Sequence, residues 1–203
     1  MQPATVYVVD DDPEVLAATE RLLVSAGMAV SAFASSLAFL DSYDARTPGC
    51  LVLDLAMPDL TGLDLQRLLG ERGEMLPIVF LTGRGDIRSC ALAMKKGAVD
   101  FLTKPVDQSD LLAAVSRAVE RAAAQQRERA DRARIENALA VLTAREREVL
   151  TQVVAGRLNK QIAADLGTRE KTIKFHRGNL MKKLGVRSVA ELVRLAQRAR
   201  VEA

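Results

Sequence analysis

The sequence predicts an α/β domain built on a doubly wound, five-stranded parallel sheet in the order 2-1-3-4-5, followed by a smaller all-α domain. Five short β-rich runs alternate with helical patterns through about the first 120 residues. Beyond them β-character disappears, and four short helical patterns end the chain. The charge divides at the same place. Residues 1–120 hold 10 Lys and Arg against 17 Asp and Glu, a net of −7, whereas residues 121–203 hold 19 against 9, a net of +10. The whole-chain value of +3 hides this asymmetry. Two halves of opposite sign imply two domains with different partners, and the basic one suits a polyanion.

The elements follow in order. Thr5–Val9 is an apolar, β-branched strand, and Asp12 before Pro13 combines an N-cap with a proline at the first helical position. Leu16, Thr19, Leu22, Leu23 and Ala26 then recur at helical spacing until Gly27 ends the run. Ala29–Phe33 is the second strand, and Ser35 and Ser36 open a helix carrying Leu37, Phe39 and Leu40. Cys50–Leu53 is apolar throughout, the mark of a strand buried on both faces. Thr61 and Gly62 lead into the helix Leu63–Leu69. Pro77–Leu81 is the fourth strand, Asp86–Lys96 a helix, and Val99–Leu102 the fifth strand. A last helix begins near Gln108.

Residues 111–141 are rich in Ala, Arg, Glu and Gln and contain no Gly or Pro, and Ala122–Arg134 is polar on all sides, so 122–141 reads as a helical linker continuing that last helix. The domains are therefore expected at 1–121 and 142–203. Thr143 with Glu146 three residues on is a capping box for a helix that runs to Ala155 before Gly156. Asn159–Leu166 stops at Gly167, Glu170–Leu184 stops at Gly185, and Ser188–Arg200 ends the basic half. The second and third of these helices, joined by Leu166–Arg169, form a helix-turn-helix candidate.

Composition narrows the function. Apolar residues at 49% supply a real core, while 3% aromatics and no Trp argue against a base-stacking platform for single strands. No apolar stretch approaches the roughly 18 residues of a membrane span. The acidic start, without a basic n-region, does not read as a signal peptide. Cys50 and Cys90 are isolated in apolar contexts and read as reduced, packed thiols. A cytoplasmic protein with no membrane partner is expected.

In such a sheet, strands one and three are neighbours, so Asp10, Asp11 and Asp12 meet Asp54 at one edge. Thr82 after strand four and Lys104 after strand five share that edge. Clustered carboxylates stay ionised most cheaply around a hard divalent cation such as Mg²⁺. A metal, a carboxylate nucleophile, a hydroxyl and an ammonium together suit attack of an Asp on a phosphoryl donor. Asp12, before Pro13, is better placed to cap its helix than to bind metal.

These residues resemble the receiver domain of response regulators, of the flavodoxin-like, CheY-like fold, over about 118 residues. The motifs are Val8–Asp12, Asp54–Leu63, Leu81–Gly83 and Lys104-Pro105. The resemblance implies that Asp54 is phosphorylated and that Asp10, Asp11, Asp54 and the Ala56 carbonyl hold Mg²⁺. It also implies that Thr82 turns toward the phosphoryl group, that Lys104 pairs with it, that Phe101 is a switching aromatic, and that Lys104-Pro105 is cis. Ala56 departs from the larger side chain many relatives carry there. The sole histidine, His176, lies in the basic half, so a histidine phosphodonor must come from another protein, a sensor histidine kinase.

The basic half resembles the DNA-binding domain of FixJ/NarL/LuxR-type regulators through Leu142–Leu150, Asn159–Ala163, Lys171–His176 and Met181–Val186. The helix from Glu170 buries Ile173, Leu180 and Leu184 and turns Lys171, Lys174, Phe175 and Gly178 the other way. Such a face fits the major groove, where Lys reaches guanine acceptors and an apolar group touches a thymine methyl. Asn159 and Lys160 suit backbone phosphates, with Thr172, Lys182 and Lys183 as further candidates. His176 reads as a packing or phosphate-facing group. Arg169 replaces the usual Ser cap, and Gly178 replaces a polar side chain.

The expected function is a transcriptional response regulator that dimerises on phosphorylation, through the surface of Asp86–Lys96, Val99–Leu102 and the following helix, and binds double-stranded promoter DNA. The last helix is expected to support dimerisation on DNA, and RNA polymerase is a further candidate partner. It is not expected to be an enzyme beyond its own aspartyl phosphorylation. Two alternatives remain from the residues: a metal-dependent phosphotransferase, and a receiver whose basic domain binds protein or RNA.

Overall fold

The computed structural model describes residues 4–83 and 87–199. Asp86 and Arg200, at the ends of two expected helices, lie outside the described residues. The chain divides into two compact units, Met1–Gln126 and Arg127–Ala203.

The first unit contains β1 (Thr5–Val9), α1 (Pro13–Ser25), β2 (Ala29–Phe33), α2 (Ser36–Ser42), β3 (Gly49–Asp54), α3 (Gly62–Glu71), β4 (Ile78–Thr82), α4 (Ile87–Lys95) and β5 (Asp100–Thr103). All strand pairs are parallel, as the β-α alternation predicts, and the order is β2-β1-β3-β4-β5, that of the expected CheY-like fold. Every residue of β3 is buried, in keeping with its unbroken apolar run.

The two-residue repeat of the pleat sorts the strand side chains onto two faces. Tyr7, Val9, Leu51, Leu53, Ile78 and Phe80 pack on one side with Phe39 of α2 and with Leu65 and Leu69 of α3. Val6, Val8, Cys50, Val52, Val79 and Leu81 pack on the other with Leu23 of α1. The helix α5 (Gln108–Ala140) covers that second face through Leu111, Ala114, Val115 and Ala118. Burial drives the Cys50 thiol pKa up to about 12, which makes it inert, as expected of a packed thiol. Gly49 lets β1 and β3 approach: a Cβ there would press on the Thr5 carbonyl and stand 2.9 Å from the Tyr7 ring.

α5 is one helix of 33 residues, and the division between the units falls within it. Its polar middle fits the expected connector, but Ile135 is buried, and Ala138 and Leu139 pack on the core of the second unit. The second unit adds α6 (Ala144–Val154), α7 (Asn159–Asp165), α8 (Glu170–Leu184) and α9 (Val189–Arg198). Val149, Leu150, Val153, Ile162, Ile173, Leu180 and Leu192 form its core. Gly185 ends α8 at φ +66°, the left-handed cap that favours glycine. Among the described residues, no helix is long and apolar enough to cross a membrane.

Candidate functional site

The parallel register sets the first site. Pairing of Val9 with Leu53 and of Asp54 with Leu81 brings the carboxyl ends of β1, β3 and β4 level. Asp10 and Asp54 are consequently side by side and nearly inaccessible, with 1% and 4% of their surface exposed. Thr82, the last residue of β4, is buried beside them at 2%. The backbone N–H of Lys104 donates to the Thr82 carbonyl at 2.7 Å, which carries the chain after β5 to the same edge. The Lys104-Pro105 peptide is cis.

Lys104 Nζ donates to Asp10 Oδ2 at 2.6 Å and pairs with Asp54 Oδ1 at 2.7 Å. The other oxygens are also engaged. Asp10 Oδ1 accepts from the Asp12 N–H at 3.1 Å, and Asp54 Oδ2 accepts from the Ala56 N–H at 2.8 Å. Burial pushes the Asp10 pKa up, opposed by the Lys104 hydrogen bond. Burial alone would lower that of Lys104, but the hydrogen bonds to Asp10 and Asp54 outweigh it and the net shift is upward. Two carboxylates against one ammonium leave the site anionic. Phe101 lies half-buried on β5, its ring 6.2 Å from that of Phe80.

Asp11 follows Asp10 at the same strand end. It is exposed, and among the described residues no three His, Cys, Asp or Glu side chains are gathered closely enough to hold a metal ion. Asp10 and Asp54 are drawn together around the Lys104 ammonium. Asp12 does cap α1, its Oδ1 accepting from the Glu14 and Val15 N–H groups at 2.9 and 3.3 Å.

Gly62 is a site residue that pattern reading passes over as a helix start. A Cβ there would collide with the Asp54 carbonyl oxygen and stand 3.0 Å from the Phe80 ring. Only glycine lets α3 begin against the backbone of the strand end. No spacing rule points to such a contact between distant segments.

The second site is the outer face of α8. Ile173, Leu180 and Leu184 are buried, while Lys171, Lys174, Phe175 and Gly178 are exposed. Phe175 leaves 64% of its surface in water. A large apolar side chain between exposed lysines suits contact with another molecule. Lys174 pairs with Glu170 at 3.1 Å, an exposed one-turn pair of small energetic weight. Lys160 and Lys182 are exposed, and Thr172 and His176 are half-buried. α8 starts without a side-chain cap at Arg169, and Thr168 supplies none.

Long-range contacts hold this face in place. Arg145 Nη2 donates to the terminal Leu166 carbonyl of α7 at 2.8 Å. Arg177 Nη1 donates to Asn159 Oδ1 at 2.7 Å, locking the start of α7 to α8. Lys183, an expected phosphate candidate, is exposed and also holds the start of α6. Its Nζ donates to the buried Glu146 carboxylate at 2.7 Å and to the Val141 carbonyl at 3.3 Å. Glu146 also accepts from the Thr143 N–H at 2.8 Å, closing the capping box. The Lys183 hydrogen bond and then that N–H hold the Glu146 carboxyl below the usual carboxylate range.

Both regions match known families. Residues 6–116 match the family described as response regulator receiver domain, and residues 140–196 that described as bacterial regulatory proteins, luxR family. The chain is 45% identical to the response regulator protein TmoT of Ectopseudomonas mendocina, over 97% of this chain and 90% of that one. It is 40% identical to the transcriptional regulatory protein FixJ of Rhizobium meliloti, over 97% and 96% of the two. It superposes on the solved structure of the response regulator StyR with a TM-score of 0.89 at 42% identity, covering 97% of this chain and 100% of that one. With a buried acidic site at the carboxyl edge of its sheet and a lysine-flanked helix in its basic unit, the chain belongs to the two-component response regulators, joining a receiver domain to a LuxR-type DNA-binding domain.

Proposed function

We propose that this regulator is switched by phosphorylation of Asp54 and that the phosphorylated form dimerises and binds promoter DNA. The observation that carries the reading is the bridging of Asp10 and Asp54 by Lys104 Nζ at 2.6 and 2.7 Å. A nucleophilic carboxylate, a second carboxylate and an ammonium are thereby held in one buried, preorganised cluster. An Asp54 oxygen attacks the phosphorus of a phosphohistidine on a separate kinase. The P–N bond breaks, and the departing imidazole keeps the electron pair and takes up a proton.

The donor set fits Mg²⁺. Asp10, Asp54 and the Ala56 carbonyl would hold it, with Asp11 completing the set from the rim. Bound there, the ion would neutralise charge on the phosphoryl oxygens. Lys104 can then leave its carboxylate partners and pair with a phosphoryl oxygen, while the Thr82 hydroxyl donates to another. Thr82 and Phe101 lie on β4 and β5, and their reorientation would carry the change to the surface of α4, β5 and α5.

In the DNA-binding domain, Lys174, Phe175 and the surface at Gly178 would face base edges. Asn159, Lys160, Lys171, Thr172, Lys182 and Lys183 would hold phosphates, Lys183 while also bracing α8 against Glu146. Domain limits of 1–121 and 142–203, with 122–141 as connector, accord with this division of labour. Packing of Ile135, Ala138 and Leu139 on the second core supports carrying the end of the connector with the DNA-binding part.

Sedimentation velocity with Mg²⁺, with and without a small-molecule phosphodonor, tests the switch beside Asp54→Ala. A donor-dependent shift from monomer to dimer, lost in the variant, is expected. Identical sedimentation of both proteins, with an acyl phosphate demonstrated by mass spectrometry, would overturn phosphorylation-driven dimerisation.

A further inference from the structure

α8 carries a charged residue on its inner side. Arg177 falls four residues after Ile173 and three before Leu180, so the three share one helical stripe. Ile173 and Leu180 are fully buried, whereas Arg177 is half-buried. Its Nη1 donates to Asn159 Oδ1 at 2.7 Å, which joins α8 to the first residue of α7. Among the described residues no carboxylate pairs with this guanidinium.

That one bond decides what the pair can bind. A guanidinium has donors only, so the Asn159 amide must turn its oxygen to Arg177 and keep its nitrogen free. Asn159 Nδ2 and the Nε and Nη2 of Arg177 have no partner among the described residues, and none of them is buried. The pair therefore offers solvent-accessible N–H donors from two helices around one unneutralised positive charge. Lys160, the next residue of α7, is exposed and adds a second charge. Donors without a free acceptor, at a positive site, complement an anion with several oxygens.

The geometry points to a phosphate clamp, in which Arg177 and Asn159 together take one backbone phosphate of duplex DNA. The inference rests on the reading of this unit as DNA-binding, and it brings in a residue from the inner side of α8. Arg177 follows Lys174 by three residues and Phe175 by two, so a phosphate held at Arg177 fixes where those side chains meet the bases. Arg177 has a second part in the clamp. It holds the Asn159 amide in the one orientation that presents donors, whereas a freely turning amide would also present its oxygen, which phosphate repels.

Methylphosphonate scanning of the full-length protein tests this. The probe is a duplex that the protein selects from a random pool, with each phosphate neutralised in turn and binding read by fluorescence anisotropy. In the wild type, neutralising the clamped phosphate should weaken binding about tenfold. Arg177→Met keeps the aliphatic stem. It should weaken binding to the unmodified duplex by a similar factor, abolish the penalty at that phosphate and leave the base preference unchanged. Asn159→Ala should abolish the penalty at the same phosphate, and it keeps the test open should Arg177→Met fail to fold. A tie that only stiffens the domain would lower stability or affinity and leave the pattern of penalties as in the wild type. The clamp is overturned if either folded variant keeps that wild-type pattern or binds the unmodified duplex as tightly as the wild type. Absence of duplex binding by the wild type would instead overturn the DNA-binding reading itself, and the clamp with it.

Discussion

The acidic site of the receiver and the outer face of α8 both depend on charged side chains, yet they treat them in opposite ways. Asp10 and Asp54 are buried, and every oxygen on them has a partner within 3.1 Å. Lys171, Lys174 and Lys182 reach into water with at most an exposed one-turn pair. The difference suits the tasks proposed for the two sites. Bond formation at one carboxylate requires fixed geometry in a weakly screening environment, where each charge acts strongly. Attraction to a polyanion works through many screened contacts, each of modest strength, and long flexible side chains suit it. Lys183 stands between the two styles: it is an exposed α8 lysine whose ammonium pairs with the buried Glu146 carboxylate.

The sharpest way to break the comparison is Asp54→Ala. Phosphoryl incorporation from a small-molecule donor, measured by intact mass, should fall to background, while DNA binding by the unphosphorylated chain changes little. On the exposed side, Lys174→Ala and Phe175→Ala should each weaken specific DNA binding about 10–100-fold, or about 1–3 kcal/mol, and relax base preference. Their effect on the unfolding free energy should stay within about 0.5 kcal/mol. Lys171→Ala should instead lower the slope of log affinity against log salt by about 1.

Lys183 and Glu146 sharpen the contrast within one helix. Glu146→Ala strands Lys183 and opens the capping box, and should cost about 1–3 kcal/mol of local stability. Hydrogen exchange over 142–199 in the full chain reads this directly. The sign with pH follows from the depressed carboxyl. The folded form holds Glu146 ionised more strongly than the unfolded chain does, so its stabilisation is fully present above the ordinary glutamate value of about 4.3. It is lost as pH falls through the lower folded value, and Glu146→Gln should remove that part of the acid dependence. The smallest effect is expected at Gly178, which is exposed and where an added methyl group would meet only open space. Gly178→Ala should raise stability by about 0.5–1 kcal/mol through helix propensity, seen as a higher urea midpoint.

Much of this architecture is legible along the chain. The alternation of apolar runs with Gly-terminated helical patterns predicts the five strands and a parallel sheet, and their order is the one that the resemblance to receiver domains implies. Strand ends differ from the pattern by one or two residues, as at Ile78–Thr82 against Pro77–Leu81, because ladder pairing rather than apolar character sets where a strand stops. The polar stretch after Ala122 predicts a continuous helix and finds one, but composition alone misses that Ile135 and Leu139 belong to the next core.

Sites divide in the same way. Local chemistry, such as the Asp12 cap and the Thr143–Glu146 box, is determined by residues two or three apart and is readable without a fold. Asp10 and Asp11 are identical neighbours in the sequence, but the end of β1 turns one into the buried cluster and leaves the other in water. The pairs Arg145–Leu166, Asn159–Arg177 and Glu146–Lys183, and the closeness of Gly62 to Asp54, likewise depend on where packing brings distant segments. Sequence by itself determined the layers, the order of parts and the residue types available at each strand end, because periodicity and capping act over a few residues. Tertiary structure alone decided which of those side chains meet, because a contact between distant segments is set by register and burial, which no local pattern encodes.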